Sequence, residues 1–125
     1  MLTICSIMPN SVENSIVIYG DGSHELVEHL YNKYSQYDGE CATNKKKMMG
    51  INNIEISEIK LYSNWNPIYE ELVDLSKTYK LWIRNTYSIE YGQACQGLIV
   101  IENGNTFVKV EYFDYYDCTK ISPQS

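Results

Sequence analysis

Hydrophobic residues recur at two spacings along the first third of the chain, and each spacing predicts an element. In residues 15–19 apolar and β-branched residues alternate with others, which indicates a strand that ends at Gly20. From Ser23 to Gln36 apolar residues recur every three or four positions, which is the spacing of an amphipathic helix. The chain therefore begins with a β-α unit.

A second β-α unit follows. Residues 54–62 alternate, with a change of phase at Ser57–Glu58 that predicts a bulge. Asn66 followed by Pro67 is typical of a helix start, because asparagine can accept hydrogen bonds from the free N–H groups and proline needs no donor there. The apolar spacing carries this helix to Tyr79 and places that ring beside the buried stripe.

The remaining pattern predicts strands. Residues 80–88 and 97–102 form two of them, and Asn103-Gly104 is the preferred pair for a two-residue type I′ hairpin. The hairpin leads into a last strand over residues 105–113. Val108, Val110 and Tyr112 share one face of that strand. If that face meets the helices, Glu111 lies on the open face of the sheet.

Three segments have no clear period. Residues 1–7 are predicted to be an N-terminal extension, residues 37–53 a long irregular loop, and residues 118–125 a loose C-terminal tail. The rest predicts a single α+β domain over residues 1–125. We expect a ferredoxin-like sandwich, with two helices on one face of a mainly antiparallel four- to five-stranded sheet and the other face open to solvent.

The charge balance limits the kinds of binding partner that we expect. Ten basic residues against sixteen acidic ones leave a net charge of -6. A charged partner is therefore expected to be basic, and direct nucleic-acid binding is not favoured. Lys45, Lys46 and Lys47 form the only basic run, interpreted as a solvated loop tip.

Cysteine usage and hydropathy favour a protein that works inside the host cell, in the cytoplasm. The four cysteines show no C-x-x-C and no metal-ligand spacing, so we expect reduced thiols, no metal and no cofactor. The first residues lack the basic and apolar regions of a secretory leader. No apolar run approaches the roughly 18–20 residues that span a membrane.

Three short motifs occur in a fixed order: "MPNSVENSIVIYG" at residue 8, "SNWNP" at residue 63 and "EYGQACQG" at residue 90. Together they resemble the YubB ferredoxin-like family, small proteins typical of phages and conjugative plasmids. The resemblance spans residue 8 to about residue 110 and implies that family's fold, but it brings no established activity. The positions that match are Met8, Pro9, Asn10, Asn14, Gly20, Trp65, Pro67, Glu90, Gly92 and Gly97.

No motif predicts an enzyme. A nucleophilic cysteine needs an oriented base, and His24 and His29 are five residues apart, so they point to different sides of a helix. Cys95 stands where the family prefers an aromatic residue, which favours a packing role. A thiol enzyme or a metal site remains a further alternative. Trp82, between Lys80 and Arg84, could stack a nucleic-acid base on an open sheet face, or it could pack across the strands.

The segment "EYFDYYD", residues 111–117, combines four aromatic rings with three carboxylates. Carboxylates can stand in for nucleic-acid phosphates on a basic partner, and exposed rings supply binding area. The alternative is a terminal strand whose tyrosines pack on their neighbours. The candidate partner-binding residues are Glu111, Asp114, Tyr115, Tyr116 and Asp117, together with Trp82.

These observations predict a non-enzymatic, acidic phage or plasmid protein that binds a partner protein. The expected partner is a host defence complex of the CRISPR type, or another nucleic-acid-processing complex, which the protein would inhibit. The alternative is a ferredoxin-like module that binds nucleic acid or nucleotides on its open sheet face. Exposed strand edges leave room for a homodimer.

Overall fold

The computed structural model of the chain describes residues 11–34, 43–49, 54–64, 66–89, 95–112 and 123. The predicted segments 1–7 and, apart from residue 123, 118–125 therefore lie outside the described residues. The elements are β1 Ser11–Tyr19, α1 Ser23–Tyr34, β2 Thr43–Met49, β3 Glu55–Asn64, α2 Glu70–Tyr79, β4 Trp82–Ile89, β5 Cys95–Glu102 and β6 Asn105–Tyr112.

The six strands form one sheet in the order β2-β3-β1-β4-β5-β6. Every neighbouring pair is antiparallel. The predicted α+β class is confirmed. The sheet has six strands, whereas four or five were expected. Strands β1 and β4 lie at its centre, and the first six residues of β4 are buried.

The extra strand is β2, so the prediction of an irregular loop over residues 37–53 is wrong for Thr43–Met49. This segment pairs with β3 at the edge of the sheet, with a register shift between Thr43 and Lys46. Lysine is depleted from strands in general, so strand propensity does not predict a strand at a run of three lysines. In general, lysine on an edge strand discourages pairing with another chain.

The main core lies between the sheet and both helices. Helix α1 contributes Leu26, Val27 and Leu30, and helix α2 contributes Leu72. The strand residues in the same buried cluster are Val12, Ile16, Ile18, Ile59, Leu61, Ile83, Tyr87, Ile99 and Ile101. Successive side chains of a strand point to opposite faces, so this alternating set defines a single face that both helices cover.

The helix-free face is buried over its centre, so the expectation that it is open to solvent is wrong there. Its second cluster consists of Trp82, Leu98 and Val100, with Tyr19 and Val108 packed against it. On the same face of β4, Arg84 is 9% exposed and Thr86 is 2% exposed.

The orientation of β6 that would place Val108 toward the helices is not the observed one, because Val108 packs on the helix-free side. On the helix side, the Tyr69 and Thr106 hydroxyls share a hydrogen bond of 2.8 Å, and Lys109 Nζ lies 3.9 Å from the Tyr69 ring centroid. Both faces of the neighbouring strand β5 bury apolar residues. An apolar alternation in β6 therefore could not reveal which face its side chains cover.

No bulge interrupts the pairing of β3 with β1. The register is continuous along β3 from Ile56 to Asn64. Ser57, at the predicted phase change, faces the helix layer, where its hydroxyl lies 3.0 Å from Ser23 Oγ, and Glu55 lies on the same face two residues before it. Glu55 Oε2 accepts hydrogen bonds from Ser23 Oγ and from the His24 backbone N–H, both at 2.9 Å. A carboxylate is favourable at the positive end of a helix, so β3 supplies a cap for α1.

A fully buried asparagine in β1 binds the residue that leads into α2. Asn14 Oδ1 accepts hydrogen bonds from the Ile68 backbone N–H at 2.9 Å and from Asn85 Nδ2 at 3.0 Å. Asn85 Nδ2 also donates to the Ile68 carbonyl at 3.0 Å. Side chains of β1 and β4 thus hold both backbone groups of Ile68. We call Asn14, Asn85 and Ile68 the asparagine latch.

The latch explains why α2 begins later than predicted. An N-cap at Asn66 would bond to N–H groups two or three residues ahead, but the Ile68 N–H is already bound by Asn14. The observed N-cap is Tyr69, which makes no side-chain capping hydrogen bond. The predicted cap at Asn66 is therefore wrong, although the predicted helix is present.

The other end of α2 is tied to the β5–β6 hairpin through Ser76. Its hydroxyl donates to the Leu81 carbonyl at 2.6 Å and accepts from the Gly104 backbone N–H at 3.0 Å. Asn103 and Gly104 both have positive φ, at 51° and 81°, as the predicted type I′ turn requires. The sheet and both ends of α2 therefore form one connected unit.

Replacing Asn14 with alanine is expected to lower the free energy of unfolding by about 2–4 kcal/mol, because the Ile68 N–H and Asn85 Nδ2 lose a buried acceptor. Urea denaturation measures the loss. Asn32→Ala, at an exposed position on α1, is the control and is expected to change stability by less than about 0.5 kcal/mol. A loss below about 1 kcal/mol for Asn14→Ala would contradict the latch.

Candidate functional site

Of the six predicted partner-binding side chains, the structure describes only Trp82. Residues 114–117 lie outside the described residues. Glu111 belongs to β6, but its side chain is not among those described. Its expected place on the helix-free face depended on Val108 facing the helices, and Val108 does not. The aromatic and acidic C-terminal surface thus stays a prediction.

Trp82 is a packing residue of the second cluster. It is 8% exposed, and its ring meets Tyr19 edge to face, with 5.0 Å between the ring centroids. Stacking a nucleic-acid base requires an accessible ring face. The ring of Trp82 offers none, so the structure favours the cross-strand packing interpretation over the base-stacking one.

The histidines occupy separate surroundings. His24 Nε2 lies 3.8 Å from Glu28, and His29 Nε2 lies 3.7 Å from Glu71 on the other helix. Cys95 begins β5, and its side chain is not described. Within the described ranges, no three His, Cys, Asp or Glu side chains are grouped as metal ligands would be. Neither described helix has the length and apolar character that a membrane span requires.

A groove of about 250 Å³ lies between α1 and α2. We call it the interhelical groove. Its lining residues are Gly22, Glu25, Leu26, His29, Leu75 and Tyr79. Gly22 directly precedes α1, the next three lie on α1, and the last two lie on the second half of α2. The pairing of the two helices therefore creates the site.

The groove has an apolar floor and a polar rim. Leu26 is buried and Leu75 is partly buried, whereas Glu25 is exposed and Tyr79 is 56% exposed. Within the described part of the chain, neither the Glu25 side chain nor the Tyr79 side chain has a hydrogen bond or an ion pair. A free carboxylate and an accessible aromatic ring therefore border the same apolar concavity.

Glu71 connects the two helices beside the groove. Its carboxylate accepts hydrogen bonds from Lys33 Nζ at 3.0 Å and from the Tyr34 hydroxyl at 2.8 Å. His29 Nε2 lies 3.7 Å from the same group. Glu71 is only 19% exposed, so these contacts are less screened than those of an ordinary surface pair. They favour a fixed spacing of α1 and α2.

The helix pair also concentrates negative charge. Its acidic residues are Glu25, Glu28, Glu70, Glu71 and Asp74, and its basic residues are Lys33 and Lys77. Five carboxylates against two lysines make the helical layer acidic, in keeping with the whole chain. The sign of this charge follows from counting the charged residues of the two helices in the sequence.

The groove itself was not predicted, because its residues come from separate helices. Tyr79 was expected beside the buried stripe of α2, and that expectation is wrong. Glu25 with His29, and Leu75 with Tyr79, are pairs four residues apart, which share a side of a helix. That spacing was the available signal. Only the packing of α1 beside α2 turns the two pairs into one site.

Comparison of the chain with protein-family models, curated proteins and solved structures finds no match. The resemblance to the YubB family therefore stays a prediction. Two of its positions have clear structural roles. Asn14 belongs to the latch, and Gly97 lies opposite Tyr87, whose ring occupies the space a Cβ at Gly97 would need.

The Glu71 contacts predict energetic coupling between the helices. Tyr34→Phe and Glu71→Ala are each expected to destabilise the fold by about 1 kcal/mol, because each removes a hydrogen bond to a partly buried carboxylate. A double-mutant cycle by urea denaturation should give a coupling of about 0.5–1 kcal/mol. Glu70→Ala, one residue away and exposed, replaces Glu71→Ala in the control cycle. Additive losses of stability in both cycles would contradict a stabilising contact between Tyr34 and Glu71.

Proposed function

We propose that this protein is a non-enzymatic binding protein whose partner is a protein with a basic surface. The observation that supports this most is the interhelical groove, with its free carboxylate and exposed aromatic ring, set in an acidic helical layer. Aromatic anchors dominate the energetics of protein interfaces, and complementary charge steers association. The surface therefore has both features that a basic partner would recognise.

The proposed partner is a nucleic-acid-processing complex, in particular a host defence complex of the CRISPR type, which the protein inhibits by occupying its nucleic-acid-binding surface. Such surfaces are basic because they neutralise phosphates. Carboxylates can occupy them in place of phosphates. The motifs between residues 8 and 110 resemble a phage and plasmid family, which supports an origin in a mobile element.

The proposed fold relationship is ferredoxin-like with an extension. The first six elements follow the order β-α-β-β-α-β, and their strands lie side by side as β2-β3-β1-β4. A split β-α-β arrangement of this kind defines the ferredoxin-like motif. Strands β5 and β6 continue the sheet beyond β4, so the whole six-stranded order differs from that of a four-stranded ferredoxin-like sheet.

Charge reversal on the helical layer tests the proposed function. With a purified, basic nucleic-acid-binding effector of a CRISPR-type system, the protein is expected to form a complex that weakens as salt is raised. Asp74→Lys should weaken binding by about tenfold, because it places a cation in the acidic layer. Biolayer interferometry at low and physiological salt measures the Kd.

Glu102→Lys is the matched control, since it reverses one exposed charge at a residue of β5 that pairs with Trp82, on the helix-free face of the sheet. The double variant Asp114→Lys/Asp117→Lys tests the C-terminal surface separately. If only that double variant weakens the complex, the partner binds the C-terminal segment rather than the helical layer. If neither Asp74→Lys nor the double variant changes the Kd, binding through an acidic surface is wrong.

A further inference from the structure

We infer that the interhelical groove binds the side chain of an arginine presented by the partner protein. This inference rests on the proposed function, because it specifies which side chain of a basic partner the helical layer receives. Three features of the groove carry it: the apolar floor, the exposed ring of Tyr79 and the carboxylate of Glu25.

The apolar floor suits the stem of a long cationic side chain. Leu26 and Leu75 line the groove, and the former packs into the main core. Lysine and arginine both bury their methylene stems along apolar surface while the charged head stays near water. A purely apolar occupant would leave the adjacent carboxylate of Glu25 facing hydrocarbon, which costs free energy unless the charge is paired.

The rim distinguishes arginine from lysine. Tyr79 is 56% exposed and borders the groove, so a planar guanidinium can lie against the face of its ring. Glu25 borders the same groove, and a carboxylate can accept two parallel hydrogen bonds from one guanidinium. The ammonium of lysine is a strongly hydrated point charge that can form neither the planar stack nor the paired hydrogen bonds.

The neighbouring charges leave Glu25 as the carboxylate for an incoming cation. Glu71 already accepts hydrogen bonds from Lys33 and Tyr34. Glu28, one turn after Glu25, lies 3.8 Å from His24. Glu25 has no such contact within the described residues. The contacts of Glu71 therefore fix the spacing of the two helices beside the groove, and the carboxylate of Glu25 at its rim is left to pair with an incoming cation.

Binding of labelled oligo-arginine and oligo-lysine peptides of equal length to the full chain tests the inference. Fluorescence anisotropy at physiological salt should give a Kd for oligo-arginine that is about fivefold to tenfold lower than for oligo-lysine. Glu25→Gln should weaken oligo-arginine binding by about tenfold, and Tyr79→Leu by about fivefold. Tyr79→Phe, which keeps the ring, should bind as the wild type does.

Glu70→Gln is the control because it removes the same charge from the exposed start of α2, outside the groove lining. If Glu25→Gln and Glu70→Gln weaken binding equally and the two peptides bind alike, attraction is diffuse and the groove is not an arginine site. Failure of oligo-arginine to bind also overturns the inference. In either case a partner complex that still weakens with Asp74→Lys would leave the proposed function standing.

Discussion

The hydrogen bonds between Asn14, Asn85 and Ile68 connect the two central strands to the segment that begins α2. These groups are buried, so each lost partner would leave a polar atom without water to replace it. Among the described residues, Asn85 Oδ1 has no hydrogen-bond partner. The bonds that the latch does make determine where α2 meets the sheet.

The position of α2 in turn determines the candidate site. The latch holds its start, the Ser76 contacts hold its end, and the Glu71 bridge holds its side against α1. The interhelical groove lies between elements that are fixed at three places. A preformed site loses less conformational entropy on binding than a flexible one. Structural contacts outside the groove lining therefore contribute to the affinity expected of it.

Local signals predicted the parts of the fold that local chemistry decides. The helix from Ser23 and the Asn103-Gly104 turn were predictable because apolar spacing and turn preferences act within a few residues. Strand β2 was not predictable, since lysine is depleted from strands and this segment is a strand only through its pairing with β3. The face covered by Val108 was not predictable either, because both sides of the sheet bury apolar residues there.

The candidate site was harder to predict than the fold, for a related reason. Its acidity follows from residue counts, whereas its concavity requires the relative placement of two helices. The role of Asn14 likewise involves three elements far apart in the chain. A sequence motif could mark this position but could not reveal its partners. Polar residues with non-local partners are thus the least predictable part of this protein.

Native-state amide hydrogen exchange at Ile68 tests the central claim, that the latch fixes α2 on the sheet. Ile68 precedes the helix, and its N–H donates to the side chain of Asn14. The account predicts that this amide exchanges about as slowly as the core strand amides, through global unfolding. Exchange as fast as that of frayed or exposed amides, with the strands still protected, would contradict it.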